Sequence, residues 1–274
     1  MRTKYKILVA KTLSKFIRFI VSEKQTVIRN KIKWNLDLNE GIDLSIYLFG
    51  NSEKKINNLR KIFKKKNQSL TFLDIGANIG SVSLIIASLF DNSKVFAIEP
   101  TSYAFNKLTK NIKLNQQLIK RVHARQLFLT NNKKPSSVWS SWNFSEIDKK
   151  HNKHFGTLKK VKKNSYLKLD EFIDNEHLTK IDFIKLDVDG YELDVLKSGE
   201  KFLKKNNPVI FMEIAPYLYP EFGYNCHDLI KFLEQMRYNF FDENLREIDS
   251  IYKHVNAIQD GSTQNLFLLK DLNI

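Results

Sequence analysis

Residues 71–100, TFLDIGANIGSVSLIIASLFDNSKVFAIEP, decide the fold. Thr71 to Ile75 is a short, mostly apolar run. Gly76-Ala77-Asn78-Ile79-Gly80 is a turn, and Ser81 to Phe90 is apolar on most sides. Lys94 to Ile98 is a second apolar run, closed by Glu99 and Pro100. This order predicts strand, glycine turn, core-packed helix, strand. Glycine lets the backbone approach a ligand with no Cβ in the way. A helix starting just after the turn aims unpaired N–H groups at that ligand. The acid closing the second strand is placed to accept hydrogen bonds from ribose hydroxyls.

The glycine spacing narrows the ligand. A dinucleotide site needs G-x-G-x-x-G, whereas this turn reads D-x-G-x-x-x-G from Asp74 to Gly80. It has Asn78 where a glycine would admit a pyrophosphate. An acid with two glycines fits a nucleoside that also carries positive charge. S-adenosylmethionine has the diol, a sulfonium and an ammonium. The expected cofactor residues are Asp74, Gly76, Ala77, Asn78, Gly80, Ser81, Glu99 and Pro100.

Further along, apolar runs at Val122 to Leu129, Asp182 to Asp187 and Pro208 to Glu213 predict more core strands. Tyr238 to Phe241 and Asn265 to Leu269 predict the last ones. Helical patterns fill Ser102 to Asn115, with Thr101 or Ser102 as N-cap, then Gly190 to Leu203 and His227 to Arg237. Near-continuous apolar strands alternating with helices describe a doubly wound, mostly parallel α/β sheet. Asn131 to Lys163 is polar, Lys-rich and too long for a plain connection. It reads as an inserted hairpin or lid, with Trp139 and Trp142 either stacking on a substrate ring or pinning the insertion to the core.

Residues 1–50 read as an extension and 51–274 as the main domain. Met1 to Ser22 is basic and amphipathic, with Leu13, Phe16, Ile17 and Ile20 at helical spacing. Lys11, Lys15 and Arg18 interrupt the run, so it is too short and too charged to span a bilayer. No small-residue cleavage site follows, so it does not read as a signal peptide. It packs on its own domain or lies on an anionic membrane. The lone cysteine, Cys226, excludes an internal disulfide and suits a reducing, cytoplasmic setting. The net charge of +15 admits nucleic acid, membrane or acidic glycan as partner, or simple Lys-rich bias. An RNA methyltransferase or nucleic-acid binder is the alternative this charge raises. The chain lacks interleaved aromatic and basic motifs of the RNA-binding kind.

Four predicted strands close on or near a carboxylate: Asp74, Glu99, Asp187 and Glu213. Ligands of open parallel sheets bind outside the carboxyl ends of the strands. In a chain of net +15, such an acidic rim points to a cationic cofactor, hydroxyl-rich groups or a metal.

Leu73 to Gly80, Ala97-Ile98-Glu99-Pro100 and Ile181 to Glu192, with Val195-Leu196-Lys197, together resemble the FkbM-type S-adenosylmethionine-dependent methyltransferases. The likeness runs from about Trp34 to Glu213. It implies a Rossmann-like seven-stranded methyltransferase fold and methyl transfer to a hydroxyl oxygen of a sugar, glycan or other small metabolite. Asp189 stands where that family usually has Glu, and Ser52 where an aromatic precedes the acid Glu53. Glu53 belongs with Trp139 and Trp142 among the expected substrate residues.

A hydroxyl is a poor nucleophile at neutral pH, so a nearby base helps. Asp187, Asp189, Glu192 and Glu213 are the candidates, with Asp187 first because it closes the strand beside the cofactor strand. His123 is a weaker one. No histidine shows metal-ligand spacing and no metal is expected, although paired carboxylates permit magnesium.

Overall fold

The computed structural model describes residues 3–50, 53–64, 68–132, 134–140, 156–163 and 165–270. Helix α1 (Thr3–Ile20) leads into a hairpin of β1 (Lys24–Arg29) and β2 (Ile32–Asp37). Asn30 and Lys31 make its two-residue turn, both with positive φ, as tight hairpins require. Ile32, Trp34 and Leu36 alternate inward from β2 and are buried. Then come α2 (Gly41–Phe49), α3 (Leu59–Ile62), β3 (Leu70–Ile75), α4 (Ser81–Leu89), β4 (Ser93–Ile98), α5 (Ser102–Lys113) and β5 (Val122–Arg125). Thr101 is the N-cap of α5, accepting from the Ala104 N–H.

Small strands follow: β6 (Phe128–Leu129), β7 (Ser137–Ser140), β8 (Thr157–Lys160) and β9 (Tyr166–Leu167). The chain then continues through α6 (Leu169–Asn175), β10 (Phe183–Leu186), α7 (Glu192–Ser198), α8 (Glu200–Lys205), β11 (Val209–Ile214), α9 (Cys226–Gln235), β12 (Asn239–Phe241), α10 (Ile251–Asn256) and β13 (Gln264–Leu269).

The central sheet has seven strands in the order β12-β13-β11-β10-β3-β4-β5, and β13 alone runs against its neighbours. Alternate residues feed two cores. Phe72 enters the one shared with β2 and α4, while Leu73 and Ile75 enter the one shared with α6, α7 and α9. The hairpin is sewn to the sheet domain by α5. The Oδ1 atoms of Asn115 and Asn111 accept the Lys33 and Asn35 N–H groups, both at 2.8 Å. That satisfies a strand edge that would otherwise lie buried and unpaired.

Two local expectations change. The run Val122 to Leu129 is not one strand: β5 stays in the sheet, and β6 leaves it to pair with β9. The helix expected over Gly190 to Leu203 breaks at Gly199, where Leu169 of α6 packs so closely that a Cβ would overlap it. After Glu53 the chain makes a 3-10 turn (Lys54–Asn58) and then the short α3. The insertion does contain an antiparallel pair, β7 with β8. Residues 141–155, with Trp142, lie outside the described residues.

Candidate active site

Strand order reverses between β3 and β10, and a cleft of about 380 Å³ opens there, beyond the carboxyl ends of β3, β4, β10 and β11. One wall is the glycine turn. The Gly76 and Ala77 N–H groups both donate to the Ile98 carbonyl, at 3.0 and 2.9 Å, which folds the turn over the end of β4. Gly76 has φ +81°, and a Cβ there would lie 1.9 Å from the Asp187 carbonyl oxygen, so only glycine lets the two strand ends approach. Gly76, Ala77, Asn78 and Ser81 line the cleft, as do Glu99 and Pro100.

Glu99 is buried and held by the protein. Its Oε2 accepts the Asn78 N–H at 3.0 Å, and its Oε1 accepts the N–H and hydroxyl of Thr101 at 2.9 and 2.6 Å. Burial raises its pKa against these bonds. A carboxylate can accept about four hydrogen bonds, so one remains for a ligand hydroxyl.

Asp74 does not stand on the cleft rim as its strand position implied. It is fully buried beneath the turn, where its Oδ2 accepts the Ser83 hydroxyl at 2.5 Å and its Oδ1 lies 3.7 Å from Lys185 Nζ. Burial pushes its pKa up, and Lys185 opposes that. Gly80 lies behind the turn too, at the start of α4 against Leu108.

The side of the cleft at the ends of β10 and β11 is acidic. Asp187, Asp189 and Glu213 bring carboxylate oxygens within 4.8 Å of one another. All three are half-buried and line the cleft. Oxygen donors in this grouping suit a hard divalent cation as well as substrate hydroxyls. Burial, then the charges of Asp187 and Asp189, push the Glu213 pKa well above the ordinary carboxylate range, which favours its protonated form. Glu53 also lines the cleft. Asn265 Nδ2 donates to it at 3.2 Å, and burial with the Glu243 and Asp187 charges raises it to about 7.

Glu192 is not a wall of the cleft. It accepts the N–H groups of Val188 and Gly190 and the Tyr224 hydroxyl, holding the turn that presents Asp189. Burial raises its pKa to about 7. Trp139, on β7, lines the mouth with Val138 and Phe128. His123 of β5 lies against Phe96 of β4, ring centroids 5.4 Å apart, and burial lowers its pKa.

Two contributors escaped the sequence reading. Gly41, Ile42 and Ser45 of α2 line the cleft from outside the sheet domain, and no motif marks them. Lys185 is buried inside β10, donating to the Gly76 carbonyl at 2.9 Å and lying 3.1 Å from Asp187 Oδ2. Burial alone would lower its ammonium pKa, but Asp187 and Asp74 carry it above the ordinary value. The visible signal was a single charge within the apolar run Phe183 to Leu186.

The sequence model of the family described as methyltransferase FkbM domain matches residues 74–240. No curated protein matches the chain. Among solved structures it is similar to SMU.776, described as a methyltransferase and solved with SAH: 12% identity, TM-score 0.50, covering 91% of this chain and 56% of that one. It is similar to the METTL16 MTase domain at 12% identity and TM-score 0.49, covering 97% and 81%. It is also similar to methyltransferase FkbM from Methylobacillus flagellatus KT at 15% identity and TM-score 0.45, covering 73% of this chain and 43% of that one. The chain therefore spans less than half the length of the Methylobacillus protein. At these identities the likeness is one of fold.

Proposed function

The chain belongs to the FkbM methyltransferase family, and from that premise we propose that it is an S-adenosylmethionine-dependent methyltransferase acting on a hydroxyl oxygen of a small acceptor, a sugar or glycan. One observation carries the reading: nucleoside-suited residues and a group of carboxylates line a single cleft.

The residues fit the cofactor. Glu99 keeps hydrogen-bonding capacity for a ribose diol. Ile98, Pro100, Leu127 and Leu129 offer apolar surface for a purine ring. Asp189 offers negative charge to the sulfonium and ammonium. A cleft of about 380 Å³ is of the size that encloses small ligands. When bound, the cofactor supplies a methyl group already activated on a sulfonium.

The chain's own work is then alignment and proton handling. Asp187, held by Lys185, orients the acceptor hydroxyl and takes its proton. Glu213, whose protonated form is favoured by burial beside Asp187 and Asp189, is placed to donate to a neighbouring hydroxyl of the acceptor. Trp139 offers a flat face to a sugar ring. The test is transfer of labelled methyl from S-adenosylmethionine to hydroxyl-bearing sugars and fractionated glycans, with the product's methyl position read by NMR. An O-methyl ether supports the reading. Label found only on nitrogen, or only on RNA, sinks the acceptor assignment. Absence of calorimetric binding by S-adenosylhomocysteine sinks the cofactor assignment.

A further inference from the structure

Helix α1 has two working faces. Ala10 and Ile17 pack against α2, Val21 packs on the main core, and Ser14 donates to the Leu38 carbonyl at 2.6 Å. That face fastens the helix to the domain. Away from it, Val9, Phe16, Phe19 and Ile20 are 59%, 64%, 90% and 68% exposed. At about 100° per residue, these four fall within an arc of about 100°. Lys11, Lys15 and Arg18 occupy the arc between the docked face and this apolar one.

Large apolar side chains are not left this exposed, side by side, without a partner. The charge decides which partner. Residues 1–22 contain six basic residues and no acidic one, and the first acid, Glu23, pairs with Arg18. A second copy of the chain seated on this face would bring two like-charged helices together, which costs free energy. An anionic lipid surface takes both features at once, apolar side chains into the acyl boundary and lysines at the headgroups. We propose that α1 docks the protein flat on an anionic membrane surface through Val9, Phe16, Phe19 and Ile20, flanked by Lys11 and Lys15.

The docking is peripheral. Among the described residues, no helix is long and apolar enough to cross a membrane. It also reaches the cleft. Leu44 of α2 packs against Ala10 and Ile17 of α1, while Gly41, Ile42 and Ser45 of the same helix line the cleft. One helix therefore separates the lipid-facing surface from the cleft, which brings acceptors held at the membrane within its reach.

The experiment is flotation of the full chain with vesicles of phosphatidylcholine alone, or with about one-third phosphatidylglycerol. The chain floats with the anionic vesicles only, and the bound fraction falls as salt is raised. Lys11→Ala with Lys15→Ala weakens partitioning by about fivefold for each charge removed. Phe16→Ser with Phe19→Ser weakens it at least tenfold. Unfolding temperatures measured alongside separate lost binding from lost fold, and the parent's own lipid and salt dependence stands without any variant. Equal flotation with both vesicles, or none with either, overturns the proposal. So does a parent dimer in sedimentation that Phe16→Ser with Phe19→Ser dissolves, which would assign the face to a second copy.

Discussion

Lys185 Nζ lies 3.1 Å from Asp187 Oδ2, and the same ammonium donates to the Gly76 carbonyl at 2.9 Å. One buried side chain thus ties the acidic wall of the cleft to the glycine turn on the other. A lysine is expensive to bury, and it stays charged here because Asp74 and Asp187 flank it.

Replacing Asp187 with Asn keeps size and removes the base. Turnover at saturating acceptor is expected to fall by about a hundred- to ten-thousand-fold, the usual range for general-base assistance. Affinity for the methyl donor stays close to the parent's. Single-turnover rates against pH check this; a profile identical to the parent's assigns Asp187 a positioning role and moves the base to Asp189.

Lys185→Met strips a buried carboxylate, Asp74, of its counter-charge. Breaking a buried pair from one side costs about 3–5 kcal/mol, so urea unfolding should shift by roughly that amount. A loss below about 1 kcal/mol would mean that the Ser83 bond alone suffices for Asp74.

Glu99→Ala is expected to weaken S-adenosylhomocysteine binding by about 1.5–3 kcal/mol. Part of that loss comes from the turn, because Glu99 also accepts the Asn78 N–H. Glu99→Gln retains an acceptor and is expected to lose less. Calorimetry on both variants separates the two contributions, and affinities equal to the parent's would remove Glu99 from the site.

Trp139→Ala should raise the acceptor KM and leave donor affinity alone, because Trp139 lines the cleft from β7, an element separate from the strands that carry the glycine turn and Glu99. Steady-state kinetics with the acceptor varied, beside donor calorimetry, is the check. Equal losses in both would mark Trp139 as a structural pin.

Burial raises Glu192 to about 7 from an ordinary 4.5. A folded-state pKa above the unfolded one stabilises the fold at low pH, and that stability is lost as pH rises from about 4.5 through 7. Glu192→Gln carries no such titration. Over that window the parent is expected to lose about 3 kcal/mol relative to the variant. Denaturant unfolding at several pH values measures it; parallel curves would show that Glu192 does not titrate there.

Local order was legible in the sequence because it rests on short-range periodicity and stereochemistry. Thr71 to Pro100 announced strand, turn, helix and strand, and the two positive-φ glycines, Gly76 and Gly80, stand where the turn needed them. The doubly wound, mostly parallel character followed from apolar runs alternating with helices, and the count of seven strands from the resemblance to the methyltransferase family. Neighbourhood was not legible. Gly76 and Lys185 are 109 residues apart, and their bond exists only because β10 pairs with β3 across the point where strand order reverses. That pairing turned Asp74 from an expected rim acid into the buried partner of Ser83 and Lys185, and it gathered Asp187, Asp189 and Glu213 into one wall. The sequence alone determined which residue types close each strand. Only the tertiary structure decided which of those acids face ligand and which face protein, because burial and charge pairing arise between strands that the chain brings together from far apart.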